Sequence, residues 1–173
     1  TSDLVQKYPD AATQIDAHGK LILPGFVDSH THLVFAGSRE HEMMLRLQGA
    51  TYLEILQQGG GIHSTVNATR SAGRQELLDL GLQRLNLLLQ HGTTTVEIKS
   101  GYGLDRISEQ RILEVIQELG RRHPMDIVAT FLGAYAVPQG VDRSVYVQWI
   151  IAEALDAYRH LAEYCDVFCE EGA

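Results

Sequence analysis

The order of its secondary-structure patterns constrains the fold of this chain more than any other feature. Short apolar or β-branched segments alternate with segments whose apolar residues recur every three or four positions, so predicted strands alternate with predicted helices. Strands joined by helices of this length form right-handed βαβ units, and such strands lie parallel in one sheet. The pattern therefore predicts a parallel α/β fold, although periodicity alone does not separate an open doubly wound sheet from a β/α barrel. The predicted strands cover residues 20–23, 26 onward into His30 and His32, 93–98, 126–132 and 166–169.

Two kinds of signal mark the predicted helices. Thr51 followed by Glu54 is a capping box, in which each side chain bonds the other's backbone N–H. It predicts a short helix over 52–58 that ends at the glycines 59–61. Apolar residues at helical spacing predict three longer helices, over 78–89, 112–119 and 147–161.

Composition narrows the classes of partner. The chain has 14 Lys and Arg against 22 Asp and Glu, a net charge of −8, and it has no basic run that would contact phosphates, so nucleic acid is not an expected partner. No apolar stretch is long enough to cross a bilayer. The two cysteines cannot form a disulfide framework, which favours a cytoplasmic location.

His30 and His32 form the strongest local signal. Residues i and i+2 of a strand point to the same face, so the two imidazoles can converge on one metal ion, with metal–nitrogen distances of about 2.0–2.1 Å for zinc. Two ligands do not complete a site, and the alternative is a pair of surface histidines. The position favours the metal, because a parallel β/α fold gathers its active-site loops at the carboxyl ends of its strands.

Further polar side chains follow the other predicted strands. Arg39 lies seven residues beyond His32, where its planar, permanently charged guanidinium suits a substrate carboxylate; the alternative is a solvated loop arginine. Lys99 ends its strand and is expected to form an ion pair with a carboxylate such as Glu97 or Glu170. The less favoured alternative is a carboxylated lysine that bridges two metal ions.

Several motifs resemble one known family. The segment Leu-Pro-Gly-Phe-Val-Asp-Ser-His-Thr-His at 23–32 is similar to the first-strand signature of the amidohydrolase superfamily, metal hydrolases built on a TIM-like β/α barrel. The segments 34–39, 97–104 and 166–172 narrow the resemblance to a ring-opening hydrolase of histidine breakdown that cleaves a cyclic amide. The resemblance implies that residues 24–173 are roughly the first half of the barrel and that residues 1–23 are a remnant of a small β-domain.

The resemblance also implies roles for individual residues. His30 and His32 match the first two ligands of one divalent metal ion, zinc or iron, while Arg39, Tyr52 and Tyr102 match residues that contact a small-molecule substrate. Tyr135 stands where the family has a substrate-contacting histidine. The remaining ligands and the catalytic acid and base are expected on later strands, so this chain alone is expected to be inactive.

Two alternatives to this function remain open. One is an amidohydrolase that acts on another cyclic amide or amidine, and the other is a truncated chain with only a partial metal site. The sequence does not fix the oligomeric state, and a homodimer is compatible with it.

Overall fold

The computed structural model describes residues 2–51, 54–55 and 59–169. Its centre is one four-stranded parallel sheet in which the strands lie in chain order. The strands are β1 Phe26–Thr31, β2 Thr93–Lys99, β3 Asp126–Ala134 and β4 Tyr164–Val167. The helices are α1 Ser2–Lys7, α2 Glu40–Leu47, α3 Ile62–Ser71, α4 Arg74–Gln90, α5 Arg106–Arg122, α6 Arg143–Trp149 and α7 Leu155–Tyr158, with a π-helical segment Ile150–Ala154 between the last two.

The outer face of the sheet carries the hydrophobic core. Val96 and Ile98 of β2 are completely buried and belong to one cluster with apolar side chains of α4 and α5, such as Leu85 and Ile116. These two helices pack against each other and against the sheet. Period-two alternation along β2 therefore directs its aliphatic side chains to the helices and its charged side chains to the opposite face.

The inner face of the sheet is polar and curved. Glu97 and Lys99 of β2 share this face with Thr130 of β3, whose hydroxyl donates to Glu97 Oε1 over 2.6 Å. Lys99 Nζ also donates to Asp166 Oδ2 of β4 over 3.0 Å, so it reaches across the intervening strand. A sheet curled in this way, with helices outside, is a partial TIM-like barrel.

The parallel α/β prediction is confirmed, but some predicted boundaries are wrong. Residues 20–23 form no strand; Leu21 and Ile22 are exposed, because no other described strand pairs with their backbone groups. The last strand begins and ends two residues earlier than predicted, in register with β3 through Phe131↔Cys165. The helix predicted to reach Leu161 ends at Tyr158.

Helices in the first half were harder to predict. The capping box is present, since Thr51 N donates to Glu54 Oε2 over 2.7 Å and Glu54 N donates to Thr51 Oγ1 over 3.3 Å, but most of the helix predicted over 52–58 lies outside the described residues. The sequence analysis missed α1, α2 and α3. In α2 the buried residue is the charged Glu42 and the apolar Met43, Met44 and Leu47 are exposed, so its apolar residues do not mark its buried face. Among the described residues, no helix is long and apolar enough to span a bilayer.

Candidate metal and substrate site

The two histidines lie at the carboxyl end of β1. His30 is exposed within the strand, and His32 follows directly after its last residue. Their ring centroids are 5.6 Å apart in an edge-to-face arrangement. The Thr31 hydroxyl between them donates to the Glu97 carbonyl over 2.6 Å, which fixes the strand end against β2. The pair therefore faces one side of the sheet, as its spacing predicts.

The surroundings of His32 keep its imidazole neutral. Burial, together with the neighbouring His30, lowers the pKa of His32 to about 4, although a hydrogen bond to the Ser100 backbone opposes the shift. Its Nδ1 is buried and has no hydrogen-bond partner in the described part of the chain. A neutral imidazole with an unpartnered nitrogen is the form that ligates a metal. The two rings thus fit the divalent ion that the resemblance implies.

The described residues supply only part of a metal site. Among them, no group of three or more His, Cys, Asp or Glu side chains is arranged to hold an ion. A structural zinc site has four ligands, and a catalytic site commonly has three from the protein. His30 and His32 would therefore need further donors from outside the described chain.

Lys99 forms an ion-pair network beneath the histidines. Its Nζ lies 2.8 Å from Glu97 Oε1 and 3.0 Å from Asp166 Oδ2. The predicted partner Glu97 is thus confirmed, Glu170 lies outside the described residues, and Asp166 was missed. Lys99 lowers the pKa of Asp166. This paired, charged ammonium contrasts with the neutral amine that carboxylation requires.

Two tyrosines enclose His32. The Tyr135 ring stacks on His32 with centroids 4.8 Å apart, and the Tyr102 ring is tilted at 5.0 Å. Burial raises the pKa of Tyr102 to about 12, and a hydrogen bond with the Tyr135 side chain contributes to the rise. The Tyr102 phenol is therefore protonated at neutral pH and can donate a hydrogen bond.

A cavity of about 390 Å³ opens beside Tyr102. Arg39, at its rim, is exposed and lies directly before α2. Arg84 forms part of the wall. The structure thus brings His30, His32, Tyr102 and Tyr135 together, and Tyr102 lines the same cavity as Arg39. Tyr52 lies outside the described residues.

Sequence reasoning missed Arg84, which holds the segment after His32. Its Nη1 donates to the carbonyls of Leu33 and Phe35 over 2.6 and 2.7 Å, and its guanidinium lies 3.7 Å from the Phe35 ring centroid. A signal was available, because Arg84 falls seven residues after Leu77 and so on the buried stripe of α4. A charged guanidinium on such a stripe needs hydrogen-bond acceptors inside the protein, here two backbone carbonyls.

A comparison of the sequence with protein-family models shows which family the chain belongs to. A model described as "Amidohydrolase family" matches residues 13–134, more than half of the chain. The chain belongs to the amidohydrolase family. The match includes β1, both histidines and the chain to the end of β3, so it covers most of the candidate site.

Curated relatives of this amidohydrolase chain carry a more specific name. It is 53% identical to an imidazolonepropionase of Caldanaerobacter subterraneus subsp. tengcongensis over 94% of this chain and 40% of the relative. It is 54% identical to one of Alkaliphilus metalliredigens, over 91% of this chain and 38% of the relative, and 50% identical to one of Geobacillus kaustophilus, over 98% and 42%. The chain thus spans about 40% of the length of these relatives.

Proposed function

We propose that the protein carrying this sequence hydrolyses the cyclic amide C–N bond of 4-imidazolone-5-propanoate to N-formimidoyl-L-glutamate, a step of histidine degradation. The observation that carries the proposal is the juxtaposition of a histidine pair, two half-buried tyrosine rings and a cavity with an arginine at its rim. Relatives about half identical in sequence are named imidazolonepropionase, which supports the same substrate.

His30 and His32 would hold one divalent ion, zinc or iron, together with donors from outside the described residues. When bound, such an ion supplies a nucleophile at neutral pH, because it lowers the pKa of water toward about 7. The low pKa of His32, about 4, keeps its imidazole available without competition from protons. Catalytic acid and base groups are expected elsewhere in the protein.

Arg39 would bind the propionate carboxylate of the substrate. A chain with a net charge of −8 repels an anion at long range, so a local cation at the cavity rim is required. The guanidinium fork can donate two hydrogen bonds to one carboxylate. Tyr102, between this rim and His32, would orient the ring, and we propose the same role for Tyr52.

Tyr135 supports one second candidate, hydrolysis of a different cyclic amide or amidine. A phenol keeps a hydrogen bond at this position but lacks the proton chemistry of imidazole near neutral pH. The surrounding residues otherwise match the proposed reaction, so we rank the alternative second.

The proposal extends to organisation and location. We assign residues 1–23 to a remnant of a small β-domain and its linker, and residues 24–173 to the first part of the barrel. We place the protein in the cytoplasm, with a small molecule as its partner. A homodimer is compatible with this assignment.

Product analysis tests the function. The intact protein, loaded with zinc or with ferrous iron, is incubated with 4-imidazolone-5-propanoate, and N-formimidoyl-L-glutamate is followed by NMR. The proposal expects stoichiometric conversion and a much lower kcat/KM for cyclic amides that lack the carboxylate. Conversion only of another cyclic amide would establish the second candidate, while a fully loaded protein that opens no ring would refute both.

A further inference from the structure

Tyr102 lies in a loop with an unusual and closely packed backbone. We call residues 100–105, between β2 and α5, the tyrosine loop. Leu104 has a φ of 52°, in the left-handed region that side chains rarely adopt. A Cβ added at Gly103 would lie 2.5 Å from the Glu109 backbone nitrogen, so this position accepts only glycine. The loop therefore has one conformation that the surrounding structure must hold.

Glu109, on the first turn of α5, holds the loop from inside. Its side chain is completely buried. Its carboxylate accepts hydrogen bonds from the backbone N–H groups of Gly103 over 2.7 Å, Leu104 over 2.9 Å and Gly101 over 3.1 Å. These amides flank Tyr102 on both sides, so one carboxylate fixes the backbone that carries the phenol.

The loop amides and the carboxylate depend on each other. Burial raises the pKa of Glu109, and hydrogen bonds from the Ser100 side chain and the three loop amides oppose the rise. Gly101, Gly103 and Leu104 are themselves buried, so water would not replace Glu109 as their acceptor. A buried N–H without an acceptor is unfavourable. Removing the carboxylate would therefore drive the loop into a different conformation.

Arg70 of α3 holds the same loop from outside. Its Nε donates to the Gly103 carbonyl over 2.6 Å and lies 2.8 Å from Asp105 Oδ2. Gly103 is thus bound through its N–H on one side and its carbonyl on the other. The two attachments leave Tyr102 as the side chain that projects toward His32, with ring centroids 5.0 Å apart.

We propose that Glu109 is a positioning residue for Tyr102: it fixes the tyrosine loop and thereby the phenol against the substrate ring. The proposal rests on the proposed function for its effect on catalysis. Its structural part, that Glu109 holds the loop, is independent of any substrate. Glu109 touches neither the cavity nor the histidines directly, so it acts through the loop.

Hydrogen exchange tests the structural part. We expect Glu109→Gln in the intact protein to increase the hydrogen-exchange rate of the loop backbone amides about 10-fold or more. The reason is that the side-chain NH₂ group of Gln replaces one carboxylate oxygen that accepts their hydrogen bonds. Glu114→Gln is the matched control, because it changes the same residue type on the same helix. Glu114 is partly exposed, and its carboxylate accepts a hydrogen bond from the Gln110 side chain. The control should leave the loop amides unchanged. Unaltered loop exchange in folded Glu109→Gln would overturn the proposal.

A double-mutant cycle with Tyr102→Phe tests the effect on catalysis. We expect Glu109→Gln to lower kcat/KM about 10- to 100-fold in the wild-type background, but no more than about threefold once the Tyr102 hydroxyl is absent. Bound metal should be equal in all four proteins. Additive losses, or loss of metal, would mean that Glu109 does not act through Tyr102.

A second variant keeps the test decisive if Glu109→Gln does not fold. Glu109→Asp keeps the carboxylate but shortens its side chain by one methylene, so it cannot bind all three loop amides; this variant should change loop exchange and the Tyr102 cycle in the same direction, by smaller factors. If it changes neither, the proposal is wrong. A protein that hydrolyses no cyclic amide would refute the proposed function, while the exchange measurement would still decide whether Glu109 holds the loop.

Discussion

The two loops that carry the candidate site are held in opposite ways. The segment 32–39 after β1, here the histidine loop, is bound at its Leu33 and Phe35 carbonyls by the partly buried Arg84, and it ends at the exposed Arg39. The tyrosine loop follows β2, which is paired on both sides, and the buried carboxylate of Glu109 binds its backbone.

Under the proposed function, this difference separates the groups that would meet a ligand from the groups that would stay fixed. His30 and Arg39 are accessible to an ion and to a small anion, whereas Tyr102 is half-buried and aligned before any ligand arrives. Pre-alignment reduces the entropy lost when a substrate is positioned. We therefore expect changes in the histidine loop to affect binding, and changes around the tyrosine loop to affect orientation.

Changing Arg39 should give the largest effect of the three substitutions compared here. We expect Arg39→Ala to lower kcat/KM for 4-imidazolone-5-propanoate about 10- to 1,000-fold, because charge-assisted hydrogen bonds to the carboxylate are lost. Arg39→Lys should be a poor replacement, since it retains the charge without the fork. Steady-state kinetics measure both losses.

A substrate analogue without the carboxylate is the control for Arg39. Its kcat/KM should barely change in Arg39→Ala. Equal losses for substrate and analogue would show that Arg39 supports the histidine loop and does not recognise the carboxylate.

The fold was largely predictable because helix and strand periodicity survive in a single sequence. The leucines of α4 and the β-branched residues of β2 indicate their elements, and alternation implies the parallel sheet. The strand expected at 20–23 failed for a physical reason: a strand is stable only beside another strand, and sequence pattern does not reveal whether one is present.

Changing Arg84 should give an intermediate effect, which is a loss of thermal stability. Arg84→Gln removes the charged donor to the Leu33 and Phe35 carbonyls, so we expect a Tm lower by about 2–6 °C. Arg74→Gln, exposed at the start of the same helix, is the matched control and should leave the Tm nearly unchanged. If the two variants have the same Tm, Arg84 does not stabilise the histidine loop.

Removing the Tyr135 hydroxyl should give the smallest effect. Tyr135→Phe keeps the ring stacked on His32 but loses the hydrogen bond with Tyr102. One neutral hydrogen bond contributes about 0.5–1.5 kcal/mol, so we expect kcat/KM to fall no more than about 10-fold. Tyr164→Phe, exposed on β4, is the control, and a loss above 100-fold for Tyr135→Phe would give this phenol a larger role than orientation.

The candidate site was predictable where a motif carries its own geometry. His30 and His32 share a face because of their spacing, and the residues after each strand meet because parallel strands end together. The residues that hold the loops were missed because their partners are backbone groups, which leave no motif. Glu109 and Arg84 still lie on the buried stripes of their helices, and charged residues at such positions are a usable signal.

Elemental analysis of the purified intact protein tests the central claim most directly. The account predicts one divalent ion per chain in the wild type and loss of most of it in His30→Ala and in His32→Ala, with His41→Ala, a histidine of α2, as the control that retains it. Unchanged metal content in both strand-end variants would contradict the assignment of this pair as the metal ligands.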